Sequence, residues 1–274
     1  MECCAKPFAS KNLPWIGGET MRDLARVLSY RFGHNPRHYV SGTLHLLRPP
    51  DFSDELWSII RLIQHYTMTS PERVSALVES IQFIVQNRIP GNIVECGVWR
   101  GGSMMAVALA LRKSGDALRE LHLFDTFEGM PKPNEEDIDL KGNSADTFFR
   151  KRQTGPDRSD FCRATLEDVQ LAMNSTGYNP ALVHLVKGKV EDTIPLHAPE
   201  SIALLRLDTD WYESTKHELE HLFPRLSKHG VLIVDDYGHW QGARKAVDEY
   251  FAKNKIPILL SRVDYTGRVA VKLE

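Results

Sequence analysis

The chain has 274 residues, 34 Lys+Arg against 36 Asp+Glu and a formal charge of −2, with 42% apolar and 26% charged residues. This is an average globular balance, which excludes disorder, collagen-like repeats and coiled coil as global descriptions and lacks the cation excess needed to wrap a polyanion. The expectation is a protein with no nucleic-acid partner. No run approaches the ~20 apolar residues of a membrane span, and Met1 to Thr20 lacks the apolar stretch of a signal peptide, so the sequence reads as cytoplasmic with no membrane partner. Cys3, Cys4, Cys96 and Cys162 form no CxxC pair and are expected as free thiols.

Residues 1–52 mix Gly, Pro, Arg and His without sustained periodicity and read as an arm with one helix around Met21 to Phe32. From Ser53 the pattern sharpens. Leu56, Ile59, Ile60 and Ile63 fall at i, i+3, i+4 and i+7, one face of a helix. A second helix follows: Ser70 caps it, Pro71 suits its first position, and Val74, Leu77, Val78, Ile81 and Val85 form its stripe until Pro90-Gly91.

Short apolar runs then alternate with helical segments: Ile93-Val94, Leu121 to Phe124, Leu182 to Val186, Ile202 to Leu207 and Val231 to Val234. Apolar strands in a βαβ rhythm imply a parallel sheet covered by helices on both faces. Two more runs, Ile256 to Leu260 and Val269 to Val271, are joined by a stretch too short for a parallel crossover, so they read as an antiparallel hairpin. The fold class is α/β, a seven-stranded, mostly parallel Rossmann-like sheet over residues 53–274. Residues 130–162 form a polar insertion, read either as a substrate lid or as a solvated loop.

The first strand ends in Glu95-Cys96-Gly97-Val98-Trp99-Arg100-Gly101-Gly102-Ser103 and runs into an apolar helix. Gly97 permits a tight turn, and Gly101-Gly102 let the backbone approach a ligand at the helix start. A structural βα turn is the plain alternative. Asp125 lies 28 residues beyond Gly97, near where doubly wound folds place an acid on ribose hydroxyls; otherwise it is a cap or turn residue. An acid at Glu95 and no fixed phosphate cradle suit a nucleoside carrying an amino-acid tail, and S-adenosylmethionine fits that description.

Two later strands end in Leu207-Asp208-Thr209-Asp210-Trp211 and Val234-Asp235-Asp236-Tyr237. Neighbouring parallel strands bring their carboxyl ends together, so these acids converge at the crevice where ligands bind. Such anions repel, and an oxygen-liking cation such as Mg²⁺ is the natural compensation at Asp208, Asp235 and Asp236. The alternative is that they cap helices or pair with Arg206 and Arg244.

Together these segments resemble the macrocin O-methyltransferase (TylF-like) family. The resemblance spans roughly residues 55 to 252: Tyr66-Thr67-Met68-Thr69-Ser70, the glycine loop, Phe124-Asp125-Thr126-Phe127-Glu128-Gly129-Met130-Pro131, Arg206 to Asp210, and Val234 to Tyr237. It implies a class I methyltransferase fold, S-adenosylmethionine as donor, a divalent metal, and a small glycosylated natural product as acceptor, as in antibiotic biosynthesis. By matching motif it implies Asp208, Asp235 and Asp236 as metal ligands and Asp210 as general base. It places Met68 and Thr69 in a lid over the donor, making residues 53–90 lid helices. It also puts Glu95, Gly97, Ser103, Asp125, Phe127, Gly188 and Asp208 in the donor site. Trp211 stands where a less bulky residue is expected.

Methyl transfer from a sulfonium leaves the protein to align the reactants and to activate a weakly acidic hydroxyl. In an extended strand Asp208 and Asp210 would point to one side, one towards metal and one towards the hydroxyl. His239 is the reserve base, otherwise an exposed loop histidine. Trp211, Tyr212, Tyr237 and Trp240 read equally as an acceptor wall or as packing. Two rival functions stand beside this one: a glycosyltransferase using Asp208-Thr209-Asp210 as a D-x-D motif, and a non-catalytic binding module. A homodimer through the helices before Glu95 is expected.

Overall fold

A computed structural model describes residues 48–274; the expected helix at Met21 to Phe32 and the thiols Cys3 and Cys4 lie outside the described residues. The first two described helices are α1 (Asp54–Ile63) and α2 (Pro71–Gln86). Each begins at a serine whose hydroxyl accepts a free backbone N–H: Ser53 from Leu56 at 3.1 Å and Ser70 from Arg73 at 3.2 Å. Asp54, Glu55 and Glu72 occupy the first turns, where the helix dipole favours negative charge.

The alternation of strand and helix then runs β1 (Asn92–Cys96), α3 (Gly102–Lys113), β2 (Leu121–Asp125), α4 (Ala145–Lys151), β3 (Gln153–Gly155), β4 (Arg158–Ser159), α5 (Leu166–Ser175), β5 (Val183–Lys187), α6 (Val190–Thr193), β6 (Ile202–Leu207), α7 (Tyr212–Leu222), β7 (Leu226–Val234), α8 (Gln241–Asn254), β8 (Ser261–Arg262) and β9 (Arg268–Val271). Seven strands form one sheet in the order β5-β2-β1-β6-β7-β9-β8, parallel from β5 to β7 and antiparallel at β9 and β8. One face carries Val94, Cys96, Phe124, Leu205, Leu207, Leu232 and Val234 against Val190, Leu219, Leu222, Val247 and Phe251 from α6, α7 and α8. Helices α1 and α2 pack with α3, and α5 packs on α3 and β5. Burial on both faces is what the unbroken apolar strands require.

Two expectations need correction. Ile256 to Leu260 is not a strand: Pro257 carries no N–H, and pairing begins only at Ser261, although Ile256, Ile258 and Leu260 do pack against the core. The insertion at 130–162 is more structured than a loop, since it holds α4 and the two-stranded hairpin β3-β4. It also buries Asp137 and Asp139, each 1% exposed.

Strand order reverses beside β1: the chain goes first to β2 on one side and later to β6 on the other. The carboxyl ends of β1 and β6 therefore flank the switch-point crevice, where open α/β sheets bind ligands.

Candidate active site

The backbone of the crevice is tightly drawn. Gly97 N–H donates to the Phe124 carbonyl at 2.9 Å, and Asp208 N–H donates to the Cys96 carbonyl at 2.8 Å. Gly97 sits at φ +82°, and a Cβ there would lie 2.1 Å from the Asp208 carbonyl oxygen, so only glycine lets the two strand ends approach. Ser103 is buried in the first turn of α3. Arg100 anchors the loop outside, through Asp168 at 2.7 Å and the His65 carbonyl at 2.8 Å.

Asp125 ends β2 and clasps this loop. Its Oδ2 accepts N–H from Val98 at 2.7 Å and Trp99 at 3.0 Å, and its Oδ1 accepts from Phe127 at 2.7 Å. Burial still pushes its carboxyl above the ordinary aspartate value, against those three N–H groups. Phe127 follows at φ +51°, and Gly188 N–H donates to the Asp125 carbonyl at 3.0 Å. Beside them, Thr126, Glu128, Gly129, Lys187, Gly188 and Lys189 line a cleft of about 620 Å³ against the insertion.

Beneath the crevice lies Arg206, the second-last residue of β6 and 2% exposed. It donates to Glu95 Oε1 at 2.7 Å, Asp208 Oδ2 at 2.9 Å, Asp235 Oδ1 at 2.6 Å and Thr69 Oγ1 at 3.1 Å. Asp235 also pairs through Oδ2 with the buried Arg73, which reaches Asp264 at 3.0 Å. Burial pushes Glu95 up to about 8, with Arg206 pulling it down and Asp208 and Asp235 adding repulsion. Glu95 Oε2 is buried and makes no hydrogen bond.

Asp208, Asp235 and Asp236 each offer a carboxylate oxygen, all within 4.8 Å of one another. The structure thus brings together the acids that the sequence suggested, and also pairs two of them with Arg206 as the alternative held. Arg73 and Asp264 were not anticipated. Arg73 lies on α2, 162 residues from Asp235, and no local pattern marks it for burial.

Asp210 is 3% exposed and sits at φ +69°. The expected extended geometry is therefore wrong: β6 ends at Leu207, and the chain turns through Asp208 and Thr209 into the left-handed region, which Asp tolerates better than most residues. His239 is likewise not exposed. It is 6% accessible, with Nδ1 3.2 Å from the Tyr265 hydroxyl.

The tryptophans fasten the insertion. Trp211 Nε1 donates to the Pro131 carbonyl at 3.1 Å, and its ring meets Trp240 edge-on at 4.9 Å, with Met130, Ala145 and Phe148 packed around them. Tyr212 and Tyr237 donate their hydroxyls to Glu249 and Asp248 of α8, each at 2.7 Å. Asp137 reaches from the insertion to accept the Tyr212 N–H at 2.8 Å, capping α7 in place of Trp211, whose side chain cannot.

The comparisons agree with one another. A family model described as macrocin-O-methyltransferase (TylF) matches residues 61–272. An 8-demethyl-8-(2,3-dimethoxy-alpha-L-rhamnosyl)-tetracenomycin-C 4'-O-methyltransferase of Streptomyces olivaceus is 33% identical over 202 residues, 74% of each chain. A demethyldecarbamoylnovobiocin O-methyltransferase of Streptomyces niveus is 31% identical over the same length, again 74% of each chain. Among solved structures, that of the O-methyltransferase NovP matches with a TM-score of 0.66 at 28% identity, covering 76% of this chain and 83% of that one.

Proposed function

Because the chain belongs to the macrocin O-methyltransferase (TylF) family, and is therefore an S-adenosylmethionine-dependent O-methyltransferase, we propose that it methylates a sugar hydroxyl of a glycosylated natural product with a divalent cation at Asp208, Asp235 and Asp236 and with Asp210 as general base. The observation that carries this reading is the set of three carboxylates with oxygens within 4.8 Å at the switch-point crevice, with Asp210 two residues beyond Asp208 in the chain.

The residues suit both groups. An all-oxygen donor set is what Mg²⁺ takes, and each carboxylate oxygen has two lone pairs, so Asp235 can serve its arginines and an ion together. The buried, unbonded Glu95 Oε2 offers an acceptor for the donor's ammonium. Thr126 spends its hydroxyl proton on the Gly129 carbonyl at 2.6 Å, which leaves Asp125 Oδ1 a lone pair for a ribose hydroxyl beside the Phe127 N–H. Met68 and Thr69 precede α2, and Thr69 is tied to Arg206 beneath the crevice, which supports reading this segment as the lid over the donor.

When bound, the donor supplies a methyl carbon activated by its sulfonium, and the cation supplies a Lewis acid that acidifies the acceptor hydroxyl. Asp210 takes the hydroxyl proton from its buried turn. Arg206 and Arg73 fix Asp235 from below and offset the crowded anions. Trp211 and Trp240 hold the insertion to the chain that follows β6 and β7, and so fix the loop that carries Asp210.

Calorimetric titration with S-adenosylhomocysteine, on the full chain and on Asp125→Ala, tests the donor site without an acceptor. Saturable binding weakened by the variant is the expected result; no binding by the unaltered chain rejects the donor site. Turnover on rhamnosyl-bearing acceptors, with Mg²⁺ and again with a chelator, tests the cation. Undiminished turnover after chelation removes it from the mechanism.

A further inference from the structure

Two histidines and a glutamate meet at the amino-terminal end of the sheet, opposite the crevice. β2 and β5 are parallel with His122 in register with His184, so both imidazoles leave the sheet on one face. Glu120 precedes His122 by two residues and projects to the same side. His122 Nε2 lies 3.1 Å from Glu120 Oε2, and His184 Nε2 lies 3.6 Å from the same oxygen. The ring centroids are 4.6 Å apart, and one donor atom from each residue lies within 4.8 Å of the others.

A tetrahedral ion with ligand bonds of about 2.0–2.2 Å holds its ligand atoms roughly 3.3–3.6 Å apart. The trio is already near that spacing. His184 Nε2 is buried and makes no hydrogen bond. The Glu120 carboxylate is aimed by Asn92, whose Nδ2 donates to Oε2 at 3.1 Å while its Oδ1 accepts the Glu120 N–H at 3.3 Å. Such outer support is what ligating carboxylates have. The side chains of His184 and Glu120 are 40% and 43% exposed, which gives an ion an entry path and leaves water a fourth position.

We propose that Glu120, His122 and His184 bind a transition-metal dication of the zinc class, at a site separate from the aspartate cluster. Two imidazoles with one carboxylate select Zn²⁺ or its neighbours over Mg²⁺, whereas the all-oxygen set at the crevice has the opposite preference. The ion pins β5, among the described residues an edge strand paired with β2, at the end remote from Asp125 and Gly188. Because the folded chain binds it and the unfolded chain does not assemble the site, occupancy raises stability.

The test uses the full chain, free of any affinity tag and stripped of metal. Zn²⁺ is titrated against a chromophoric chelator with Mg²⁺ in excess, and Co²⁺ binding is followed by its visible absorption. The unaltered protein is expected to bind Zn²⁺ and to give the intense tetrahedral Co²⁺ band, and its thermal midpoint should rise with Zn²⁺. His184→Gln, at a half-exposed position, should lose the band, bind Zn²⁺ roughly tenfold or more weakly and show no thermal shift, while Asp236→Asn should retain all three signals. Absence of binding by the unaltered protein overturns the proposal. So does binding that survives in His184→Gln and His122→Gln, or that disappears in Asp236→Asn. None of these outcomes depends on methyl transfer, so this site and the crevice stand or fall separately.

Discussion

Arg206 Nη2 donates to Asp235 Oδ1 at 2.6 Å, with both side chains at most 3% exposed. Because the same guanidinium also serves Glu95 and Asp208, removing it takes a shared counter-charge from three carboxyl groups in a low-dielectric site and leaves Asp235 to Arg73. Arg206→Met is expected to cost about 3–5 kcal/mol, as breaking a buried ion pair does. Arg206→Lys should cost less, because it keeps the charge and loses only the fork. Urea unfolding measures both; a loss below about 1 kcal/mol in Arg206→Met contradicts the assignment.

Asp210→Asn should lower kcat by about 10²–10⁴, the usual worth of a positioned base. Affinity for S-adenosylhomocysteine should stay unchanged. Calorimetry and turnover on one preparation separate the two effects, and unimpaired turnover excludes Asp210 as the base.

Gly97→Ala places a methyl group 2.1 Å from the Asp208 carbonyl oxygen at φ +82°. The strand ends must then separate, and the crevice widens with them. A lower thermal midpoint with at least roughly tenfold weaker S-adenosylhomocysteine binding is expected, on the ground that donor sites lose affinity when their backbone is displaced. Wild-type affinity in this variant contradicts the role given to the close approach.

Asp137 provides a pH signature. Burial pushes its carboxyl from 3.8 up to about 6, against the N–H groups of Asn134 and Tyr212 and with Glu213 and Glu136 adding repulsion. The folded chain therefore holds this proton more tightly than the unfolded chain. Its contribution to stability is largest below about pH 4, declines as pH rises towards about 6 and is flat above that. Asp137→Asn should remove this part of the slope. Denaturant midpoints between about pH 4 and pH 7 decide it, since an unchanged slope in the variant rules Asp137 out as the source.

The strands of the parallel sheet were legible because they are short, largely apolar runs, most of them ending at or just before Gly or Asp, and the caps of α1 and α2 because Ser53 and Ser70 stand directly before apolar periodicity. The acids of the crevice were legible for the same reason: they end strands that parallel pairing brings side by side. What could not be read was partnership across the chain. Arg73 reads as a surface residue of an amphipathic helix, yet its counter-charges are Asp235, just beyond β7, and Asp264. Asp137 reads as part of a polar loop, yet it caps a helix that begins 75 residues later. The strand expected at Ile256 to Leu260 shows the converse failure, because alternating apolar residues there bury themselves without a ladder.

The left-handed backbone at Asp210 restricts what evolution can place there. Asn and Gly are the residues that best replace Asp at positive φ, and each lies a single base change from an Asp codon. The replacements that this backbone accommodates best therefore preserve the turn while deleting the carboxylate. On the role proposed for Asp210, a folded, donor-binding protein without methyl transfer is thus within one mutational step of the enzyme, and an inactive member of the family need carry no other mark in its sequence.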